Sequence, residues 1–366
     1  MNRVGTTEHP AALTTPDALD LHRLLWQCER AGVTDVVMEV SSHALSQGRV
    51  AHCEFDLAAL TNLHSNHLDY HETHDAYRLA KMRLFTELGR GSTKRGIGIV
   101  NADDAHAEDF RAATACPVLT FGIRARANVV GRPLRARLRR TTFSVRTNRW
   151  TGHIRLQLTG SFNVSNALAA TAVAECLDVA PGDIVAGLEG LRGVPGRFEV
   201  IPNRGGPLIV IDFAHTLAAF GEVLPTLRRL VLGRVITVFG CAGDRDRSKR
   251  AAIGQLVTQS SDLAIITTDN PAHEDPAEIA REVVTGAERV DPRAERHRVI
   301  LDRFTAVQTA FALAQAGDAV LLAGKGHEDC QIMDGRRVPY SDRGAVREVL
   351  ARRGPDARSA QIRETP

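Results

Sequence analysis

The order of apolar and polar positions divides the chain into short blocks. After a polar opening, "TTP" (14–16) leads into "DALDLHRLLWQCERAG", with Pro16 near its start and Gly32 just past its end. That punctuation predicts a helix. "TDVVMEV" (34–40) and "FDLAALTNL" (55–63) read as buried strands, separated by "SSHALSQGRV", a loop with a short turn of helix. "DAYRLAKMRLFTEL" (75–88) is amphipathic and helical, "GIGIVNADD" (96–104) is a strand running into an acidic turn, and "CPVLTFG" (116–122) is a short strand. Strands alternating with helices predict a largely parallel sheet covered by helices. "TTFSV" and "GHIRLQLTG", within 125–160, read as antiparallel strands on its flank, and "GSFNVSNALAATAVAECL" (160–177) as a helix.

The Gly- and Pro-rich stretch "LRGVPGRFEVIPNRGG" (191–206) predicts a boundary, and a second αβ unit follows. Its apolar strands "PLIVIDFA" (207–214), "RVITVFG" (234–240), "DLAIITTD" (262–269) and "DAVLLAGKG" (318–326) end in polar residues or glycine. Functional groups in such sheets gather at the carboxyl ends of the strands. Those ends carry Asp212, "GCAGDRDRSKR", "TDNPAHEDP" and "GKGHE".

Composition narrows the choice little. The 366 residues suit two or three domains; 43% are hydrophobic and 24% charged, and the net charge of +3 points to no particular partner. The arginines of 124–140 lack the interleaved aromatics of a nucleic-acid surface, so no nucleic-acid partner is expected. Six scattered cysteines without a CxxC pair argue against a disulfide framework or a thiolate zinc site. With no long apolar run and no leader-like opening, the expectation is a cytoplasmic protein with no membrane partner.

Four features bear on chemistry before any resemblance is considered. "TNLHSNHLDYHETH" (61–74) holds histidines at 64, 67, 71 and 74. One reading is a zinc cluster on a helical face; the other is a single functional histidine among solvated neighbours, because the stretch begins at a strand end. Glu39, inside an apolar run, reads either as a local hydrogen-bond partner or as an oxygen ligand for a hard metal such as Mg²⁺. "GCAGDRDRSKR" (240–250) offers positive charge for phosphate or carboxylate, or forms a salt-bridged surface turn. "LLAGKGHED" (321–329) lacks the GxxxxGK[ST] spacing of a phosphate loop, and no such string occurs in the chain.

The ordered set "TTPDAL", "MEVSSHALSQGRV", "TNLHSNHLDYH", "AYRLAKMRLF", "FNVSNALAA", "GVPGRFE", "DFAHT", "FGCAGDRDRSKR", "TDNPAHEDP" and "GKGHE" resembles the Mur ligase family. The branch resembled is the one that adds the third peptide residue to UDP-N-acetylmuramoyl-L-alanyl-D-glutamate (UDP-MurNAc-L-Ala-D-Glu). The resemblance implies an α/β chain: an incomplete P-loop-type Mur central domain over 1–200, then a Rossmann-like C-terminal Mur ligase domain over 201–366. It implies an ATP- and Mg²⁺-dependent ligase of peptidoglycan precursor synthesis, joining meso-diaminopimelate or another amino acid through an acyl phosphate. It further implies that Glu39 and His67 bind Mg²⁺, joined by Lys81 when carbamylated. Thr14, Thr15, Ser41, Gln47 and Arg49 would hold the muramoyl-dipeptide nucleotide. Asn163 and Asn166 would lie by the adenine, and Arg197 and Asp212 against ATP. Arg245, Asp269, Asn270, Gly324 and Glu328 would hold the amino acid.

The pattern departs from that family in several places. The UDP-sugar domain and the phosphate loop that precede "TTPDAL" in the family are not among these residues, which leaves the expectation of an exposed apolar sheet edge. Asn66 stands for an aspartate, Phe213 for a tyrosine, Leu217 and Ala218 for Pro-Asp, and Ala272 for the arginine that clamps a diaminopimelate carboxylate. Two other readings follow from these departures. One is a non-catalytic Mur-like protein that partners another Mur protein. The other is half of a split ligase completed by a separate P-loop fragment.

Overall fold

The computed structural model describes residues 2–11, 13–64, 66–90 and 94–352. The chain divides into two compact units. One comprises residues 1–131, 145–151 and 165–184; the other comprises 132–144, 152–164 and 185–366.

A small antiparallel hairpin, β1 (Asn2–Val4) with β2 (Thr7–His9), comes first, where the sequence predicted only loop. Then follow α1 (Ala18–Arg30), α2 (Ser42–Ser46), β3 (Leu57–Leu60), α3 (Leu68–His71), α4 (His74–Thr86), β4 (Ile97–Asn101), α5 (Ala107–Ala113) and β5 (Val118–Gly122). Next are β6 (Val129–Arg137), β7 (Arg140–Arg146), β8 (Thr151–Leu156), α6 (Ser161–Cys176) and α7 (Pro181–Gly190). The first large sheet runs in the order β3-β4-β5-β6-β7-β8, and β3 to β6 are parallel. The parallel sheet and its flanking hairpin follow the sequence pattern. Ala58, Leu60, Tyr77, Phe85, Val100 and Phe110 form one core beneath α4 and α5.

Residues 34–40 correct the prediction. They form no strand: the described residues offer no ladder partner to 33–40. An extended apolar run becomes a strand only when a neighbour supplies backbone donors and acceptors. The two-residue alternation survives. Met38 and Val40 pack on the cluster of Leu21, Leu45 and Val50, while Val37 is 88% exposed. Glu39 is exposed as well, so the cost of burying a carboxylate does not apply to it.

The remaining elements are β9 (Glu199–Ile201), β10 (Leu208–Asp212), α8 (Leu217–Arg228), β11 (Val235–Phe239), α9 (Lys249–Ser260), β12 (Leu263–Ile266), α10 (Pro276–Ala287), β13 (His297–Val299), α11 (Arg303–Leu313), β14 (Ala319–Ala323), the hairpin β15 (Cys330–Met333) with β16 (Arg336–Pro339), and α12 (Asp342–Arg352). Their sheet has the order β13-β12-β11-β14-β10-β9, parallel except for β9. Successive side chains point to opposite faces. Ile209 and Ile211 join the core that includes Phe311 and Val346, while Val210 joins the core of Phe220, Phe239, Ile253 and Val283. Burial on both faces explains why these strands read as continuous apolar runs. Among the described residues no helix is long and apolar enough to cross a membrane.

Candidate functional site

In the first unit the residues of "TTPDAL" and "MEVSSHALSQGRV" form one knot. The buried Thr15 Oγ1 donates to the Glu39 carbonyl at 2.8 Å and accepts from the Ser41 N–H at 3.0 Å. Ser41 in turn caps α2, its Oγ accepting from the Ala44 N–H at 3.2 Å. Arg49 Nη1 donates to the Thr15 carbonyl at 3.1 Å, and its Nε to Gln47 Oε1 at 2.8 Å. Thr14 is the exposed neighbour of this knot in sequence. Hydroxyls and a guanidinium held this way can bind a polar, anionic ligand without further ordering.

His67 and Lys81 meet around a residue that the sequence did not single out, Tyr77, and the charge of Glu39 is felt at Lys81. Lys81 Nζ stands 5.4 Å from the Tyr77 ring centre, and the His67 ring lies 6.3 Å from it. Burial lowers the Lys81 pKa, while the charge of Glu39 works in the opposite direction. Burial also pushes the Tyr77 hydroxyl up to about 12, so it stays protonated. His67 has φ 57° and begins α3 from a left-handed turn. The four histidines therefore do not share one helical face. His64 is exposed in the preceding loop, and Ser65 between them lies outside the described residues. His71 Nε2 pairs with Ser42 Oγ at 3.0 Å, and burial with the nearby His43 lowers its pKa.

Among the described residues no group of three or more His, Cys, Asp and Glu side chains is placed to hold a metal. Zinc in a closed protein cage is thus ill served. Mg²⁺ makes a smaller demand, since it commonly takes one or two carboxylates and completes its shell with water and phosphate oxygens. By donor chemistry a carboxylate, an imidazole and an anionic form of Lys81 suit that demand, whereas a protonated Lys81 does not.

In the second unit four strand ends converge as the sequence predicted. Asp212 closes β10: its Oδ2 accepts from the Phe198 N–H at 2.6 Å and its Oδ1 from the Ala214 N–H at 2.7 Å. Burial raises the Asp212 pKa, against those two hydrogen bonds and Arg197. Arg197 stacks 4.7 Å from the Phe213 ring centre, so the phenylalanine keeps an aromatic face for the cation. After β12, Asn270 Nδ2 donates to Glu328 Oε2 at 3.0 Å. After β14, Gly324 leaves its Cα side open to Asp269, where an added Cβ would stand 3.0 Å from Oδ2. The exposed Arg245 lies on the loop after β11, which Gly243 N ties to the Asn270 carbonyl at 2.8 Å.

Lys325 is the residue that sequence reasoning missed here. It is fully buried, and its ammonium donates to Asn270 Oδ1 at 2.8 Å, Glu328 Oε2 at 2.5 Å and the Cys330 carbonyl at 2.6 Å. Glu328 is therefore not a carboxylate waiting alone for a substrate ammonium. It already neutralises Lys325, yet its side chain remains 31% exposed and can share a second cation. The signal in the sequence was a lysine within two residues of a wholly apolar strand.

Asp269 is wholly buried, and burial pushes it up to about 6 against the pull of Arg303 and Lys325. A carboxyl with a raised native pKa holds its proton more tightly when folded. Its charge therefore weakens the fold progressively as pH rises from about 4 to about 6. Replacing Asp269 by Asn is expected to flatten that part of the pH–stability curve, measured as thermal midpoints of both proteins between pH 4 and 7. Parallel curves would contradict it.

A cavity of about 490 Å³ lies in this unit, lined by Asn163, Thr159, Arg192, Arg197 and Phe198 among others. Asn163 and Arg197, both placed by the resemblance on ATP, thus face one space. Asn166 follows one turn later on α6. Gly196, next to the cavity, has φ +68°, and an added Cβ would lie 2.2 Å from the His327 N. Gly196→Ala is expected to cost at least about 2 kcal/mol in urea unfolding, because both strain and backbone collision oppose it. A cost near zero would show that the two loops can part freely.

Comparison with known proteins points one way. The description "Mur ligase middle domain" matches residues 1–174, and "Mur ligase, glutamate ligase domain" matches 196–326. The UDP-N-acetylmuramoyl-L-alanyl-D-glutamate–2,6-diaminopimelate ligase of Geobacillus kaustophilus is 40% identical over 354 residues, 96% of this chain and 72% of that protein. Its counterpart in Bacillus cereus is 37% identical over 353 residues, with 96% and 71% covered. A solved structure of a ligase of that name has 36% identity and a TM-score of 0.60, covering 93% of this chain and 69% of the other. A pseudomurein peptide ligase type C from Methanothermus fervidus, 19% identical with a TM-score of 0.64 and covering 86% and 66%, shares the fold.

Proposed function

This chain belongs to the Mur ligase family, and on that footing we propose that it acts in the ATP-dependent addition of 2,6-diaminopimelate to UDP-N-acetylmuramoyl-L-alanyl-D-glutamate. The observation that carries this reading is the grouping of the motif residues into three chemically distinct places. One is a hydroxyl-and-arginine knot, one a carboxylate–histidine–lysine cluster, and one an ion-paired pocket at the strand ends. Residues 1–200 would form the central unit and 201–366 the amino-acid-binding unit.

A carboxylate is a poor electrophile. Transfer of the ATP γ-phosphoryl group to it makes an acyl phosphate, whose phosphate departs when the incoming amine attacks. The products are an amide, ADP and phosphate. Thr14, Thr15, Ser41, Gln47 and Arg49 hold the nucleotide-linked dipeptide. Asn163 and Asn166 face the adenine, with Arg197 and Asp212 against the remainder of ATP. Arg245, Asp269, Asn270, Gly324 and Glu328 hold the amino acid, Arg245 taking a carboxylate and Glu328 an ammonium. With Ala272 where relatives carry a clamping arginine, Arg245 has the larger share of that work. When bound, Mg²⁺ supplies charge neutralisation for phosphoryl transfer. Glu39 and His67 are the residues to hold it. Burial of Lys81 favours the neutral amine that carbon dioxide can convert to an anionic carbamate, which Tyr77 packs against.

That no described strand pairs with 33–40 favours a second reading, in which the phosphate-binding cradle reaches this unit from a separate polypeptide. One assay tests both. The purified chain is mixed with ATP, Mg²⁺, the UDP-muramoyl dipeptide and diaminopimelate. Parallel reactions include a fragment spanning the part of a relative that this chain does not cover. Tripeptide product is expected, and its formation only with the fragment would establish the second reading. No product in either mixture, while a full-length relative turns over beside them, would refute the ligase reading for this chain.

A further inference from the structure

Lys325 puts a wholly buried ammonium beside the place where a substrate ammonium is to bind. Its three N–H donors are all spent, on Asn270 Oδ1, Glu328 Oε2 and the Cys330 carbonyl. It has none left for a ligand, but it decides what its partners can offer one. The amide oxygen of Asn270 accepts from Lys325 at 2.8 Å and from the Ile332 N–H at 3.1 Å. The amide nitrogen is thereby turned toward Glu328, where Nδ2 donates to Oε2 at 3.0 Å. Oε2 thus takes two donors, Lys325 and Asn270. Oε1 is the oxygen left to a ligand, on a side chain that stays partly exposed.

The charges are as specific as the hydrogen bonds. Asp269 Oδ1 lies 3.8 Å from the same ammonium, so two carboxylates share one cation. Arg303 adds nothing to this count, because Asp342 matches its charge in a bidentate pair. Two carboxylates and one ammonium show a ligand one net negative charge. That attracts an ammonium and only weakly opposes a carboxylate on the same carbon. Without the lysine the count becomes two negative charges, which attract a bare ammonium more strongly and repel a carboxylate beside it.

We propose that Lys325 is a positioning residue that selects the incoming amino acid. By holding Asn270 and Glu328 Oε2, it lets the pocket take an amino acid whose far end carries a carboxylate beside the ammonium, as diaminopimelate does. An amino acid that ends in an ammonium alone, as lysine does, gains less from it. This selection rests on the ligase reading above, in which Glu328 takes the ammonium.

The test is a charge cycle read as a ratio. Wild type, Lys325→Met, Glu328→Gln and the double variant are compared in whichever mixture forms product, and kcat/KM is measured with diaminopimelate and with lysine. Thermal melting verifies that each variant folds. Lys325→Met is expected to lower the diaminopimelate-to-lysine ratio by roughly tenfold or more, chiefly through KM for diaminopimelate. Glu328→Gln weakens both amino acids but bares the Lys325 charge, so the ratio should rise. The double variant has the wild-type net charge, and its ratio should return to within about threefold of wild type. A merely structural lysine would lower both efficiencies together and leave the ratio alone. Should Lys325→Met fail to fold, the other two variants still decide, since the ratio must rise in one and return in the other. A ratio unmoved throughout, or shifted the same way by both single substitutions, overturns the proposal and leaves the ligase reading standing. If wild type joins neither amino acid in any mixture, the ligase reading fails and the proposal with it.

Discussion

Asp342→Ala is expected to destabilise the second unit by roughly 3–5 kcal/mol, read by urea unfolding. Arg303 and Asp342 are both fully buried and form a bidentate pair, Nε to Oδ1 and Nη2 to Oδ2, each at 2.8 Å. Burial works against the Arg303 charge, yet Asp342 and its hydrogen bonds hold the guanidinium pKa above its usual value. Removing the carboxylate leaves that charge without its counter-ion in a dry interior. Arg303 Nη2 also donates to the carbonyl of Ala323 at 2.8 Å, the residue before Gly324, and Tyr340 Oη donates to Asp342 Oδ1 at 3.0 Å. The same pair thus anchors the strand end that presents Gly324, Lys325 and Glu328. Replacing both partners together, Arg303→Met with Asp342→Leu, should recover much of the loss, because no unpaired charge remains. A single-variant loss below about 1 kcal/mol would show that water reaches the guanidinium.

Lys81→Met is expected to lower the rate of product formation by on the order of 10²–10³-fold in whichever mixture is active. The substitution keeps the apolar stem against Tyr77 and removes the nitrogen that could become an anion. Lys81→Glu places a carboxylate in nearly the same position, and should recover part of the rate if the anion is what matters. Glu39→Gln should raise the Mg²⁺ concentration needed for half-maximal rate, since an amide oxygen binds the ion less well than a carboxylate. Native mass spectrometry at raised bicarbonate would show the carbamate directly. Equal rates for Lys81→Met and wild type would remove Lys81 from the chemistry.

Much of this was legible along the chain because its signals are local. Apolar runs of strand length between helical periods predicted the parallel sheets, and the polar residues that follow β10, β11, β12 and β14 marked the strand ends that the structure brings together. Both follow from two facts: a strand buried on both faces must be apolar, and chain emerging from a sheet's edge meets solvent. The ordered motifs then carried residue roles that spacing alone could not assign. The short pairs β1–β2 and β15–β16 were missed, because strands of three or four residues leave no period to read.

What composition and pattern determined, then, was the class of fold and the residues that emerge at the strand ends. The tertiary structure alone decided which of those residues have partners. Residues 34–40 have the pattern of a strand but pair with no described strand, since a ladder needs a neighbour that no local pattern can guarantee. Glu39 came out exposed for the same reason. Lys325 was brought inside by acceptors drawn from two segments, Arg303 by a carboxylate 39 residues away, and Tyr77 to the His67 ring. Charge can be buried only where opposite charge and oriented dipoles arrive from elsewhere in the chain, and that arrival is settled by packing rather than by neighbours in sequence.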